Sequence, residues 1–140
     1  MIIEKVKTIR AGAIPFYVED NIIKMLFMVP SSEQFGGSCL QIAKGIIEIG
    51  EDEFETALRE CKEELGLKEE NIEKIYFIGK FNHETFHIFA FEIKDINDFN
   101  EPHYETKETK WLTTSEFLAV GRDHQKKIVE ISEKRIKYLN

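Results

Sequence analysis

The sequence predicts an α/β fold, a mixed β-sheet held between helices. Two observations carry that expectation: short runs of β-branched and aromatic residues recur on both sides of an amphipathic helical stretch, and a second helical pattern closes the chain. A third bounds it. With 140 residues, 42% hydrophobic and 32% charged, the chain reads as a single domain over residues 1–140 with its own core. Such a composition is not that of a disordered or low-complexity polymer.

In chain order, Thr8 to Val18 (TIRAGAIPFYV) reads as a first strand, irregular at Pro15, which has no N–H to give to a ladder. Asn21 to Val29 is a second strand, and Glu19-Asp20 with Asn21 makes the hairpin turn. Pro30 to Ser38 is a loop, and Cys39 to Ala43 a short strand. From Asp52 to Leu65 the apolar residues Phe54, Ala57, Leu58, Cys61 and Leu65 fall at steps of three and four, one buried helical face, with Gly66 placed to end the helix. Ile72 to Phe81 and Thr85 to Ile93 are strands. The second is apolar on both faces, as in a strand covered on both sides. Asp95 to Thr106 is a polar loop, and Lys110 to Thr113 a short strand. Thr114 or Ser115 then caps a helix with Glu116 in its first turn. Asp123 to Leu139 is the last helix, with Ile128, Val129, Ile131, Ile136 and Leu139 on one side.

The net charge is −7, and between Glu48 and Glu70 there are 10 acids against 3 bases, so one short stretch supplies the whole imbalance. The apolar run Met25 to Pro30 is far too short to span a bilayer, so no membrane association is expected. The first residues, MIIEKVKTIR, carry charges where a signal peptide needs an apolar run. The two cysteines, Cys39 and Cys61, make neither a disulfide framework nor a zinc pattern. A cytoplasmic location is therefore expected.

Within the acidic stretch, Glu60, Glu63 and Glu64 stand at i, i+3 and i+4, so their carboxylates project from one side of the helix within a single turn. That side is displaced by roughly a third of a turn from the apolar stripe. Carboxylates this close repel one another unless a positive charge compensates. Two readings remain on spacing alone: a solvated acidic face, or a site for a hard divalent cation, Mg²⁺ or Mn²⁺. Arg59 is placed to pair with an acid of the preceding loop, such as Glu51.

The whole stretch Gly45 to Leu67, GIIEIGEDEFETALRECKEELGL, resembles the Nudix box of the Nudix hydrolase (MutT-like) family. The pattern is Gly, five residues, Glu, seven residues, then Arg-Glu-U-x-Glu-Glu-x-Gly-U, with U a bulky apolar residue. It falls on Gly45, Glu51, Arg59, Glu60, Cys61, Glu63, Glu64, Gly66 and Leu67 without a gap. Composition alone gives such a match at on the order of 10⁻⁸ per window. Ala43 stands where many members have a proline, and Cys61 is a modest apolar choice. Neither change removes a ligand.

The resemblance implies a Nudix-type α/β/α sandwich, and a loop–helix–loop that binds a divalent metal and cleaves a pyrophosphate linkage. In that reading Glu60 and Glu64 are ligands, Glu63 binds directly or through water, and the Gly45 carbonyl completes the shell. Arg59 and Glu51 orient the acids. Family members differ in which glutamate is the general base, and Glu105 and Glu108 are the candidates outside the box. Tyr17, Phe35, Phe81, Phe86, His103, Tyr104 and Trp111 are candidate stacking partners for a base, and Tyr104, Glu105 and Glu108 are the candidate substrate-binding residues outside the box. His83 and His87 are expected on one face of one strand. Arg122, Lys126, Lys127, Lys134, Arg135 and Lys137 make the last helix basic.

The implied activity is a Mg²⁺-dependent (or Mn²⁺-dependent) pyrophosphohydrolase acting on a nucleoside diphosphate linked to another moiety. Dinucleoside polyphosphates of the Ap4A type are favoured, because Lys110-Trp111-Leu112 followed by Ser115-Glu116 is similar to the closing segment of MutT-type diadenosine polyphosphate hydrolases. ADP-ribose, sugar nucleotides, FAD and nucleoside triphosphates stay open. An RNA 5′ end is a second partner class, against which the acidic balance argues. A nucleotide-sensing module without catalysis is the third reading, and such a module is expected to lose box glutamates that this chain keeps. A homodimer is compatible with the sequence.

Overall fold

The computed structural model describes residues 1–3, 7–35 and 37–139, so part of the charged N-terminal segment and Gly36 of the Pro30–Ser38 loop lie outside the described residues. Strands β1 (Arg10–Glu19) and β2 (Ile22–Pro30) form an antiparallel hairpin. Its two-residue turn, Asp20-Asn21, has φ of 52° and 65°, the left-handed pair that matches the twist of the flanking strands. Then come β3 (Ala43–Ile46), helix α1 (Glu53–Leu65), β4 (Ile72–Phe81), β5 (Phe86–Ile93), β6 (Thr106–Leu112), α2 (Thr114–Val120) and α3 (Lys126–Leu139).

The sheet runs β4-β5-β1-β2-β6, with β3 also paired to β1. The β1–β5 pair is parallel and the others are antiparallel. Pro15 marks a change of partner: Arg10 to Ala13 pair with β3, and Phe16 to Glu19 pair with β2. The hairpin thus splays beyond Pro15, and β3 enters the opening.

Side chains alternate between the two faces with period 2. Ala11, Ala13, Leu26, Met28, Phe91 and Ile93 join α1 in one core cluster; Ile14, Phe16, Met25, Phe27, Ile88 and Ala90 join α2 and α3 in the other. This is the expected sandwich of a mixed sheet between helices. The α1 face is floored by alanines (Ala11, Ala13, Ala43, Ala57), all fully buried, which lets the helix backbone lie close to β1 and β3. On the far face, Phe27 and Phe117 pack with ring centroids 4.3 Å apart.

Several expected boundaries shift. The third strand is Ala43–Ile46 rather than Cys39 to Ala43, because Leu40 and Gln41 make only isolated bridges, to Gly121 and Met28. Strand β6 begins at Thr106, since the polar residues Lys107, Glu108 and Lys110 lie on an edge strand open to solvent. The cap of α2 is Thr113, whose hydroxyl accepts from the Glu116 N–H. The last helix starts at Lys126, after a 3₁₀ turn over Asp123–Gln125. His83 lies in the β4–β5 turn with φ of 58°, not on the strand that carries His87.

Gly66 ends α1 with φ of 73°, and a Cβ there would run into the backbone of Asn100, whose N–H donates to the Gly66 carbonyl at 2.7 Å. Gly66→Ala is therefore expected to lower stability by about 2–4 kcal/mol, from the left-handed penalty plus the clash, as read by urea unfolding. An unchanged midpoint would show that the 95–106 loop does not need this close approach.

Candidate active site

The site is built where α1 lies against β3. A reciprocal capping box fixes the start of the helix: Glu55 N–H donates to Asp52 Oδ1 at 2.7 Å and Asp52 N–H to Glu55 Oε1 at 3.1 Å. Glu51, one residue earlier, accepts from Arg59 Nε (2.7 Å) and Nη2 (3.1 Å), Thr56 Oγ1 (2.8 Å) and the Glu48 N–H (3.1 Å). The bidentate Arg59 grip holds the Glu51 carboxyl down at about 2, and the same contact raises Arg59 above its ordinary value. The pair expected from the sequence is thus formed, and it ties the loop to the helix.

That link has a pH signature. The folded-state value of Glu51 is depressed, so its stabilising effect is present above about 4.5 and is lost as pH falls from there towards 2. Glu51→Gln is expected to flatten the acid unfolding curve over that window, followed by circular dichroism. A curve as steep as the wild type's would mean that other carboxyls carry the transition.

Arg59 Nη1 also donates to Glu60 Oε1 at 2.9 Å and lies 3.6 Å from Glu63 Oε2. The three box glutamates sit on one side of α1 with graded exposure: the Glu64 residue is 8% exposed, and the side chains of Glu60 and Glu63 are 12% and 37% exposed. Gly45 faces them from β3. A side chain there would strike Glu60 Oε1, so only glycine lets the strand come this near. Burial and the hydrogen-bonded Glu60 carboxylate push Glu64 up to about 10, opposed by Lys44 and its backbone N–H. Burial, then Glu60, also raises Glu63.

The loop before β6 clamps the end of the helix. His103 N–H donates to the Glu63 carbonyl at 2.7 Å, and the buried Thr106 hydroxyl to the Glu64 carbonyl at 2.8 Å. Glu105, between them, is near enough to raise the Glu63 carboxyl. Glu108 sits in β6 opposite Val29, its carboxylate 3.9 Å from Lys110. Of the two candidates, Glu105 is brought to the box.

The aromatic candidates divide. Phe86 is buried in the core, Phe81 packs on the same cluster, and Trp111 packs on the other. Tyr17 lies edge-on to Trp111 at 5.0 Å. Phe35, His103 and Tyr104 make a separate group, with Tyr104 74% exposed, 5.7 Å from Phe35 and stacked at 6.1 Å on His103. The Ser31 N–H to Glu105 carbonyl bond (2.8 Å) holds the loop carrying Phe35 against this group. His87 is buried with Nδ1 3.9 Å from Glu53. Lys44 and Thr106 are contributors that the sequence reading missed. Lys44 had a signal in its place beside Gly45, and Thr106 had none.

Among the described residues, no group of three or more His, Cys, Asp or Glu side chains forms a ready-made metal cage. Glu60 and Glu63 lean on Arg59 instead. The donor set nevertheless fits a hard divalent cation: two adjacent carboxyls, one of them buried and raised by that burial and by the other carboxylate, beside the glycine of β3.

The sequence model of the NUDIX domain matches residues 7–131. The chain belongs to the Nudix family. It is accordingly a hydrolase acting on pyrophosphate bonds, in a family that generally uses divalent metals. Solved Nudix structures share the fold at low identity. A binary complex of the Caenorhabditis elegans Ap4A hydrolase is 18% identical, over 95% of this chain and 98% of that one, with a TM-score of 0.69. The NUDIX domain of Shewanella oneidensis NrtR complexed with ADP ribose is 14% identical, over 95% and 90%, at 0.69. The Mycobacterium smegmatis Nudix hydrolase RenU is 13% identical, over 94% and 84%, at 0.70. No curated protein matches the sequence. Among the described residues, no helix is long and apolar enough to cross a membrane.

Proposed function

We propose that the protein is a Mg²⁺- or Mn²⁺-dependent pyrophosphohydrolase of a nucleoside diphosphate linked to another group, with dinucleoside polyphosphates of the Ap4A type favoured. The observation that carries this reading is the buried Glu64 carboxyl beside Glu60 and the Gly45 backbone, a donor set at the mouth of a helix–strand junction. Glu60, Glu64 and the Gly45 carbonyl would hold the cation, with Glu63 reaching it directly or through water. A bound divalent ion supplies charge neutralisation of the phosphates and a lowered pKa for a coordinated water. Arg59, held by Glu51, fixes the direction of Glu60. Glu63, raised above the usual carboxylate range, and the neighbouring Glu105 are the groups to accept the water's proton. The Phe35–Tyr104 pair offers an exposed aromatic wall for a base next to these acids.

The Ap4A preference is supported by Lys110-Trp111-Leu112 in β6 and by the fold shared with the Caenorhabditis elegans Ap4A hydrolase. ADP-ribose is the alternative, since the NrtR domain binds it on the same fold. A panel of Ap4A, ADP-ribose, FAD, nucleoside triphosphates and 5′-triphosphorylated RNA with Mg²⁺ or Mn²⁺, with products identified, tests the reading. The expected result is that Ap4A has the highest kcat/KM. Faster cleavage of the RNA or of ADP-ribose would replace the substrate assignment, and no cleavage of any would remove the hydrolase reading. Glu105→Gln is expected to lower kcat by ~10²-fold and to change its pH profile, and an unaltered profile would leave Glu63 as the base.

A further inference from the structure

Ile42 stands where the chain leaves β2 for β1. Just before it, Gln41 exchanges two backbone hydrogen bonds with Met28 of β2 (2.9 and 3.0 Å); just after it, Ala43 to Ile46 pair with β1. At the crossing, the Ile42 N–H is met by no strand. It donates to Oε1 of Gln125, 83 residues later, at 2.7 Å, and both groups are buried. The same turn holds the two residues before: Arg122 N–H donates to the Leu40 carbonyl at 2.9 Å, Arg122 Nη1 donates to Gln41 Oε1 at 3.1 Å, and Leu40 bridges Gly121. Three consecutive residues are thus gripped by the α2–α3 turn. The chain then runs directly into Lys44, which is near enough to act on the Glu64 carboxyl, and Gly45, whose backbone lies against Glu60.

We infer that Gln125, with Arg122 beside it, is a positioning residue that sets the height of Lys44 and Gly45 over the box glutamates. The role rests on the metal-dependent reading proposed above. The geometry leaves little slack. Ile42 lies two residues from Lys44 and three from Gly45 along extended backbone, and Gly45 already meets Glu60 so closely that a methyl group does not fit. A buried side-chain oxygen is a fixed stop, and without it the Ile42 N–H loses its acceptor and the crossing segment is free to drift. The turn thereby couples the α2–α3 side of the sheet to a metal edge built on the α1 side.

The test compares Gln125→Met, which keeps the size and removes the acceptor, with Gln125→Glu, which keeps an acceptor oxygen. Ile136→Val, in the core on α3 and away from the crossing, is the control for lost stability. Two readouts are taken: Mn²⁺ affinity by electron paramagnetic resonance, and hydrogen exchange of the Lys44 amide in metal-free protein. Gln125→Met is expected to weaken Mn²⁺ binding by ~10-fold and to speed Lys44 exchange by a similar factor, as for outer-sphere supports of metal ligands. Gln125→Glu should stay within about threefold of wild type, and Ile136→Val should change neither readout while lowering Tm. Arg122→Gln, at a half-exposed side chain, should move both readouts in the same direction by less, and it stands in if Gln125→Met fails to fold. Wild-type affinity and wild-type Lys44 exchange in these variants would overturn the inference. A wild-type protein that binds no Mn²⁺ would instead overturn the hydrolase reading, and the exchange rates alone would then decide the positioning role.

Discussion

Glu64→Gln is expected to lower turnover by at least ~10²-fold while raising the melting temperature of the metal-free protein above neutral pH. Both effects have one origin. Glu64 is buried beside Glu60, and without a cation its carboxyl stays protonated up to about 10. The folded-state value is raised above the ordinary 4.5, so the site carries no penalty below about 4.5, and stability falls as pH rises from there through 10. Glutamine is neutral, fills the same space and removes that slope. At pH 8 the metal-free variant should melt ~5 °C or more above wild type, given a few kcal/mol of relieved strain in a domain of this size. With saturating Mg²⁺ the order should reverse, because only the wild type gains stability from the ion. Thermal melts from pH 5 to 9 with and without Mg²⁺, alongside turnover, check the pair of outcomes. A variant equally active, or destabilised at pH 8 without metal, would contradict the placement of Glu64.

Gly45→Ala should act on the same site from the other side. The added methyl runs into the Glu60 carboxylate, which is the end of a flexible side chain and can swing away. The fold should survive with a loss of about 1–2 kcal/mol, while kcat drops by ~10²-fold, since the proposed ligand Glu60, displaced by about an ångström, is misplaced for the reaction. Gly66→Ala is expected to show the opposite pattern, a large stability loss, because there the methyl meets backbone that cannot turn aside. Full activity in Gly45→Ala would show that Glu60 need not lie against β3. The contrast between the two glycines separates positions that serve the chemistry from those that serve the fold.

Much of this was legible in the sequence, for identifiable reasons. The apolar steps from Phe54 to Leu65 gave the buried face of α1, and the i, i+3, i+4 glutamates fell together on one neighbouring side, because helical periodicity is local; that Glu64 is itself buried there was not legible, since β3 covers it. Asp20-Asn21 gave the hairpin turn for the same reason. What failed depended on distant partners. Strand β3 starts later than its sequence suggests because Leu40 to Ile42 looks like a strand but is held by the 121–125 turn, contacts more than eighty residues away that no spacing rule carries. His83 reads as a strand residue because the hairpin tip built from Asn82, His83 and Glu84, all with positive φ, lacks the glycine that usually marks one. Glu105 and Glu108 could not be ranked from sequence, since the Thr106 and His103 bonds to the end of α1 decide which of them meets the box.

Anomalous diffraction from crystals soaked in Mn²⁺ tests the central claim most directly. A peak bounded by the carboxylates of Glu60 and Glu64 and the carbonyl of Gly45, abolished in Glu64→Gln, is the expected result. Density with no manganese at those three groups, in crystals that bind the ion elsewhere or not at all, would contradict it.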